Sequence, residues 1–303
     1  MYYKEKLNQQ VIASLVGLSR SQVSRYLTEA EDLGIVRIEI EAVDDRDFQL
    51  ESKLIQTLGL KKAIVVYRLN TTKDSIRNTI GRACARYLIE VLQDKDVIGI
   101  TSGYTLYDTL RYLKTPTVQG LKLVQLMGGA GASALQSYPE EICRGFANVL
   151  GATLFNLHAP LVVENKAVRD LFLETGSVKK VVEMWDEMTV TVMGVGNISS
   201  EQLVFKSGWF SETDLQELLN AGAIGVACGR FFDANGNRVR LPLDERIIST
   251  ELEVFKKVGQ AIAVAGGPDK AVSLLAAVRG GYCNTVVTDD KTASEMLALA
   301  GKV

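Results

Sequence analysis

Short apolar runs that end in glycine or small polar residues, each separated from the next by an amphipathic stretch, constrain this 303-residue chain more than any other feature. Ala63 to Val66, Val97 to Ile100 and Leu121 to Leu126 read as strands, while Ser75 to Leu92, Leu106 to Leu113 and Glu140 to Leu150 carry apolar residues at helical spacing. The alternation predicts an α/β domain with a largely parallel sheet, because parallel neighbours need a crossover that a helix supplies. This domain is expected over residues 61–303, after a connecting helix over 46–60 and a small head over 1–45.

Loops at the carboxyl ends of parallel strands gather along one edge, where ligands bind. Four such loops are rich in glycine and small polar residues: Gly99 to Thr105, Gln125 to Gly129, Met193 to Asn197 and Val264 to Lys270. The first and last lead into helices, whose N-terminal N–H groups and dipole favour an anion, and Lys270 adds a positive charge. Thr101, Ser102, Gly103, Tyr104, Thr105, Gly128, Gly129, Gly266, Gly267 and Lys270 are therefore the candidate ligand residues, with a phosphate as the expected anion. Any one glycine pair is equally an ordinary tight turn; the argument rests on recurrence. No loop has a P-loop or GxGxxG pattern, which disfavours nucleoside triphosphates and dinucleotides. Asp233, entering a turn after Arg230-Phe231-Phe232, has two readings: an acceptor for vicinal hydroxyls of a polyol, or a turn-initiating aspartate. Asp289-Asp290-Lys291-Thr292 reads as the cap of the last helix.

The head carries a second pattern. Asn8 to Val16, then Gly17-Leu18-Ser19, then Arg20 to Leu27 reads as helix, tight turn, helix. Ile12, Leu15 and Val16 are expected on one face, with Val23, Tyr26, Leu27 and Ala30 facing them and Ser19 as N-cap. Gln10, Ser19, Arg20, Ser21, Gln22, Ser24 and Arg25 are left as outward hydrogen-bonding residues, the types that read base edges and phosphates in a major groove. Ile35 to Ile40 alternates apolar and polar, as the strand of a wing would. Residues 1–46 hold six basic and eight acidic side chains, so one head is a weak binder and an oligomer presenting two or more is expected.

Composition limits the chemistry. One histidine, His158, and four scattered cysteines exclude a two-imidazole mechanism and argue against a zinc site; no cofactor or metal is expected. No apolar run reaches the roughly 18 residues of a membrane span, and Met1 to Lys6 lacks the apolar core of a signal peptide, so a soluble, cytoplasmic chain is expected.

Four blocks in order, Gly222 to Asp233, Ala263 to Gly267, Leu275 to Tyr282 and Val287 to Asp289, with Gln9 to Ala13 and Leu18 to Arg25, resemble the SorC family of bacterial transcriptional regulators over nearly the whole chain. The resemblance implies a winged helix-turn-helix joined to a large Rossmann-like α/β domain similar to phosphosugar isomerases but acting as a sensor. It implies operator DNA and a phosphorylated sugar or polyol effector as partners, a homotetramer, and control, as a repressor, of a carbohydrate catabolic operon. It also implies that Ser102 to Thr105 and Lys270 hold the effector phosphate while Asp233 contacts the sugar. The usual first helix is shortened here. The rival reading is a working phosphosugar isomerase or deaminase with an accessory head; it needs a positioned carboxylate base, for which Asp233 is the evident candidate.

Overall fold

In the computed structural model, which describes residues 1–5, 7–32, 45–68, 72–129, 139–200, 205, 208–267 and 269–301, the chain divides into two units, Met1–Asp45 and Arg46–Val303.

The small unit begins with a single turn, α1 (Tyr2–Glu5), followed by α2 (Gln9–Val16) and α3 (Arg20–Asp32). Asn8 caps α2 by accepting from Val11 N at 2.9 Å, and Gly17, at φ 69°, ends it in the left-handed conformation that only glycine adopts cheaply. Ile12, Ala13 and Val23 form its core, with Leu7, Leu18 and Leu27 packed against them. Three residues expected inward are not: Leu15, Val16 and Tyr26 are exposed, because so short a hairpin buries one narrow stripe centred on Ile12 and Val23. The expected wing strand, Ile35 to Ile40, lies outside the described residues.

The larger unit opens with α4 (Phe48–Leu58), capped by Asp47, whose Oδ1 accepts from Gln49 N and Leu50 N. This helix is integral to the unit: Leu54 is fully buried in its core. There follow β1 (Lys62–Val66), α5 (Lys73–Val91), β2 (Val97–Ile100), α6 (Tyr104–Tyr112), β3 (Lys122–Gln125), α7 (Pro139–Leu150), β4 (Thr153–Phe155), α8 (Lys166–Glu174), α9 (Gly176–Glu183), β5 (Val190–Gly194) and β6 (Gly196–Asn197). Next come α10 (Glu212–Asn220), β7 (Gly225–Ala227), β8 (Arg230–Phe232), β9 (Arg238–Val239), α11 (Leu252–Phe255), β10 (Gln260–Val264), α12 (Ala271–Arg279), β11 (Thr285–Asp289) and α13 (Asp290–Ala300).

Seven strands form one parallel sheet in the order β1-β11-β10-β5-β2-β3-β4. Its strands are apolar on both sides because each side is covered: Ile64, Val66, Ile262 and Val264 face one core, Ala63, Val65, Ala261 and Ala263 the other. From β2 the chain winds outward through β3 and β4, then returns to lay β5 on the other side of β2 and winds the opposite way through β10 and β11. The winding reverses between β2 and β5, and a crevice opens at such a switch point beyond the strand ends. Between β5 and β10 a four-stranded antiparallel sheet, β6-β7-β8-β9, is inserted.

Candidate functional sites

A cavity of about 440 Å³ lies at the carboxyl ends of β2, β5 and β10, roofed in part by the β7–β8 hairpin and Trp209. Thr101, Ser102, Gly103, Tyr104, Thr105, Gly266, Gly267 and Lys270 all line it, as do Gly194, Val195 and Gly196, so three loops predicted from sequence converge. Thr101 acts from behind: buried, it accepts from Gly194 N through Oγ1 at 3.2 Å and so ties the β2 exit to the β5 exit.

Two helices open on the cavity, and neither has a side-chain cap. Gly103 precedes α6 at φ 132° and has no side chain to offer its N–H groups; Lys270 precedes α12 and bonds none of them with its own. By contrast Thr72, Asp289 and Ser211 cap α5, α13 and α10. Leaving two helix starts uncapped towards one cavity is the arrangement that favours anion binding. Close packing places α6: a Cβ on Gly81 of α5 would lie 2.8 Å from Thr109 N, so only glycine lets α5 and α6 approach this closely.

Lys270 Nζ donates to Asn197 Oδ1 at 2.8 Å. Burial disfavours its charged form and pushes its pKa down to about 8; Asp269 opposes this and Lys73 adds to it. The glycines behind it are set by Asp289, whose Oδ2 accepts from Gly267 N at 2.8 Å and would lie 2.5 Å from a Cβ on Gly266. Burial opposes ionisation of Asp289, but hydrogen bonds from Thr292, Arg68 and Gly267 outweigh it and hold its pKa below the usual carboxylate range. Asp289 thus caps α13 and also shapes the Lys270 loop.

Two basic residues join the wall without having been anticipated: Lys73, paired to Asp269 at 3.9 Å, and Arg77, which bonds Asp74 and Asp108 and lies over the Tyr104 ring at 5.2 Å. Their signal is a pair of cations one turn apart at the start of the helix after β1.

Three candidates fall elsewhere. Gly128 and Gly129 do not line the cavity: they are locked into backbone pairing, Gly128 N to Ile248 O and Gly129 N to Ala159 O, each at 2.9 Å. At Gly128 glycine is required because a Cβ would strike the backbone oxygen of Pro160, while at Gly129 the atom met is the movable Glu140 carboxylate. Among the described residues of this loop only Met127 reaches the wall. Asp233 is likewise outside it: its Oδ1 accepts from Asn235 N at 2.9 Å and Asn237 N at 2.8 Å, and Oδ2 from Asn237 Nδ2 at 3.1 Å. The turn reading, not the polyol reading, describes this carboxylate. His158 is exposed and absent from the cavity wall.

On the small unit, Gln10, Ser19, Arg20, Ser21, Gln22, Ser24 and Arg25 are all exposed. Ser19 Oγ accepts from Gln22 N at 3.2 Å while Gln22 Oε1 accepts from Ser19 N at 2.9 Å, a reciprocal capping box that fixes the start of α3. Arg25 lies over the exposed Tyr26 ring at 5.6 Å, which restrains its side chain.

Comparison with known proteins adds to this geometry. A sugar-binding domain family, Sugar-bind, matches residues 45–298. The chain is 32% identical over 298 residues to the deoxyribonucleoside regulator of Bacillus subtilis (strain 168), covering 98% of this chain and 95% of that one. It is 29% identical over 305 residues to the transcriptional regulator LsrR of Enterobacter sp. (strain 638), covering 99% and 91%. The crystal structure of the full-length sorbitol operon regulator SorC from Klebsiella pneumoniae superposes with a TM-score of 0.77 at 25% identity, covering 98% of this chain and 96% of that one.

Proposed function

The chain belongs to the SorC family of transcriptional regulators, and from that premise we propose that its larger unit senses a phosphorylated sugar or polyol that sets the affinity of its smaller unit for operator DNA. The protein is a regulator rather than an enzyme, with a sugar-binding domain.

The observation that carries the phosphate reading is the convergence of two uncapped helix N-termini and Lys270 on one cavity. A volume of about 440 Å³ suits a small ligand. Tyr104, Thr105 and the Gly266–Gly267 amides receive the phosphate, Lys270 supplies its charge, and Ser102 with the apolar wall of Trp209 and Val226 faces the carbon chain. The names of the relatives, a sorbitol operon and deoxyribonucleoside regulator, favour a carbohydrate catabolic operon as the target. Arg20, Ser21, Gln22, Ser24 and Arg25 enter the major groove, with Gln10 at its edge. The protein acts as a cytoplasmic homotetramer, and as a repressor that the effector releases.

Fluorescence anisotropy of an operator fragment, titrated with protein with and without sorbitol 6-phosphate, deoxyribose 5-phosphate, ribose 5-phosphate and fructose 6-phosphate, tests this. One compound should weaken the complex, Lys270→Ala should abolish that response while leaving DNA affinity intact, and Arg25→Ala should lower DNA affinity itself. DNA binding that no phosphorylated compound alters, or a Lys270→Ala protein that still responds, refutes the sensor assignment.

A further inference from the structure

The loop that carries Lys270 is anchored from below by a buried ion pair. Gly267 N donates to Asp289 Oδ2 at 2.8 Å and to Thr292 Oγ1 at 3.1 Å. The other carboxylate oxygen of Asp289 accepts from Arg68 Nε, and Arg68 Nη2 reaches Thr292 Oγ1 at 3.5 Å. The side chains of Arg68 and Asp289 are only 10% and 1% exposed. Capping α13 does not require an arginine, since Asp289 already accepts from Thr292 N. A buried pair is a costly way to hold a helix start, and its desolvation offsets much of what it adds to stability.

Arg68 follows Tyr67, whose hydroxyl stands beside the carboxylate of Asp47, the N-cap of α4; partial burial first and then the nearness of that carboxylate push the Tyr67 pKa up. The same strand exit holds the whole Arg46–Glu51 segment. Asp47 N donates to Val65 O at 2.8 Å, Val65 N to Glu51 Oε1 at 3.0 Å, and Arg46 makes two bonds of 2.7 Å to Glu51. Four consecutive residues, Val65 to Arg68, therefore grip the Lys270 loop at one end and, at the other, the segment by which the chain from the DNA-reading unit enters the larger one.

We propose that Arg68 is the positioning residue that couples occupation of the cavity to the first turn of α4. An anion drawn to the Gly267 amide and Lys270 competes with Asp289 for the Gly267 N–H. Asp289 then turns more fully to Arg68, and the displacement of Arg68 carries Tyr67 with it and alters the Asp47 cap. The ligand shifts the equilibrium because this set of bonds differs between the empty and occupied cavity. The inference rests on the phosphate reading above.

Hydrogen exchange on the full chain, with saturating inorganic phosphate as the probe, tests it. In the unmodified protein phosphate should change exchange in both 264–271 and 47–52, by about fivefold or more in protection. In Arg68→Met the first response should persist and the second vanish. Persistence in 264–271 also shows that the variant folds and binds. Tyr67→Phe, at an exposed ring, should at least halve the response of 47–52 and guards against misfolding of the Arg68 variant. A response in 47–52 that survives Arg68→Met or is untouched by Tyr67→Phe overturns the coupling and leaves the phosphate reading standing. So does a response confined to 264–271 in the unmodified protein. No response in either segment overturns both readings.

Discussion

Lys270 sits in a conflict between fold and ligand. Its ammonium has lost hydration, which lowers its pKa to about 8 against an ordinary value of 10.5. The folded state without ligand thus carries a penalty that is full below pH 8 and relieved as pH rises from there towards the unfolded value. Replacing the charge by an apolar side chain of similar length should stabilise the empty protein: Lys270→Met gains about 1 to 2 kcal/mol at neutral pH, read as a raised urea midpoint, while losing phosphate binding. An anion bound beside Lys270 restores its charge, so binding above pH 8 takes up a proton and affinity falls by up to about tenfold per pH unit there. Calorimetric titrations in two buffers of different ionisation enthalpy measure that proton, and Lys270→Met should remove it. Lys270 was legible in the sequence because it stands beside a glycine pair at a strand end. Gly128, Gly129 and Asp233 share that local signature but serve backbone approach and a turn, since which side chains reach the cavity depends on packing between distant segments. Lys73 and Arg77 were missed for the same reason.

At the scale of elements, periodicity sufficed where both sheet faces are covered. The expected strand Val97 to Ile100 has the bounds observed, and the helix expected from Glu140 to Leu150 begins one residue earlier, at Pro139. It failed in the small unit, where Tyr26 and Leu15 satisfy the apolar spacing but the hairpin has too little surface to bury them. Two helix starts give clean tests. Gly103 adopts φ 132° with nothing within 4 Å of a prospective Cβ, so Gly103→Ala introduces backbone strain without a clash. That strain, about 1 to 3 kcal/mol, should be relieved by rotating the α6 amides off the cavity, reducing phosphate affinity at least about tenfold with operator binding unchanged. Thermal shift with and without phosphate checks it. At α3, Ser19→Ala removes half the capping box and should cost about 1 kcal/mol of helix stability, seen as weaker operator binding. Ser19→Asp keeps the cap but places a carboxylate beside DNA phosphate; it should restore helix content by circular dichroism and still bind less tightly.

For the molecule as a whole, a formal net charge of -2 on 303 residues conceals a division of labour between units that meet at Asp45 and Arg46. The head was expected over 1–45 because its acidic exit gives way there to the helical apolar spacing that follows. An oligomer is expected from the sequence on electrostatic grounds as well as from the family resemblance. The described reading face offers two exposed arginines, Arg20 and Arg25, and each phosphate neutralised contributes about -0.9 to the slope of log affinity against log salt. One head engaged should therefore give a slope near -2, and two heads a slope near -4. We expect the steeper value, together with DNA affinity that falls as protein is diluted through the range where sedimentation shows the oligomer dissociating. A slope near -2 that is independent of protein concentration would mean that one head reads DNA alone. The effector would then have to act within a single chain. A steep slope lost on dilution places control where an effector has most leverage: two weak heads bind strongly only when held at the spacing of their half-sites, so a small change in their geometry costs affinity that neither head can recover alone.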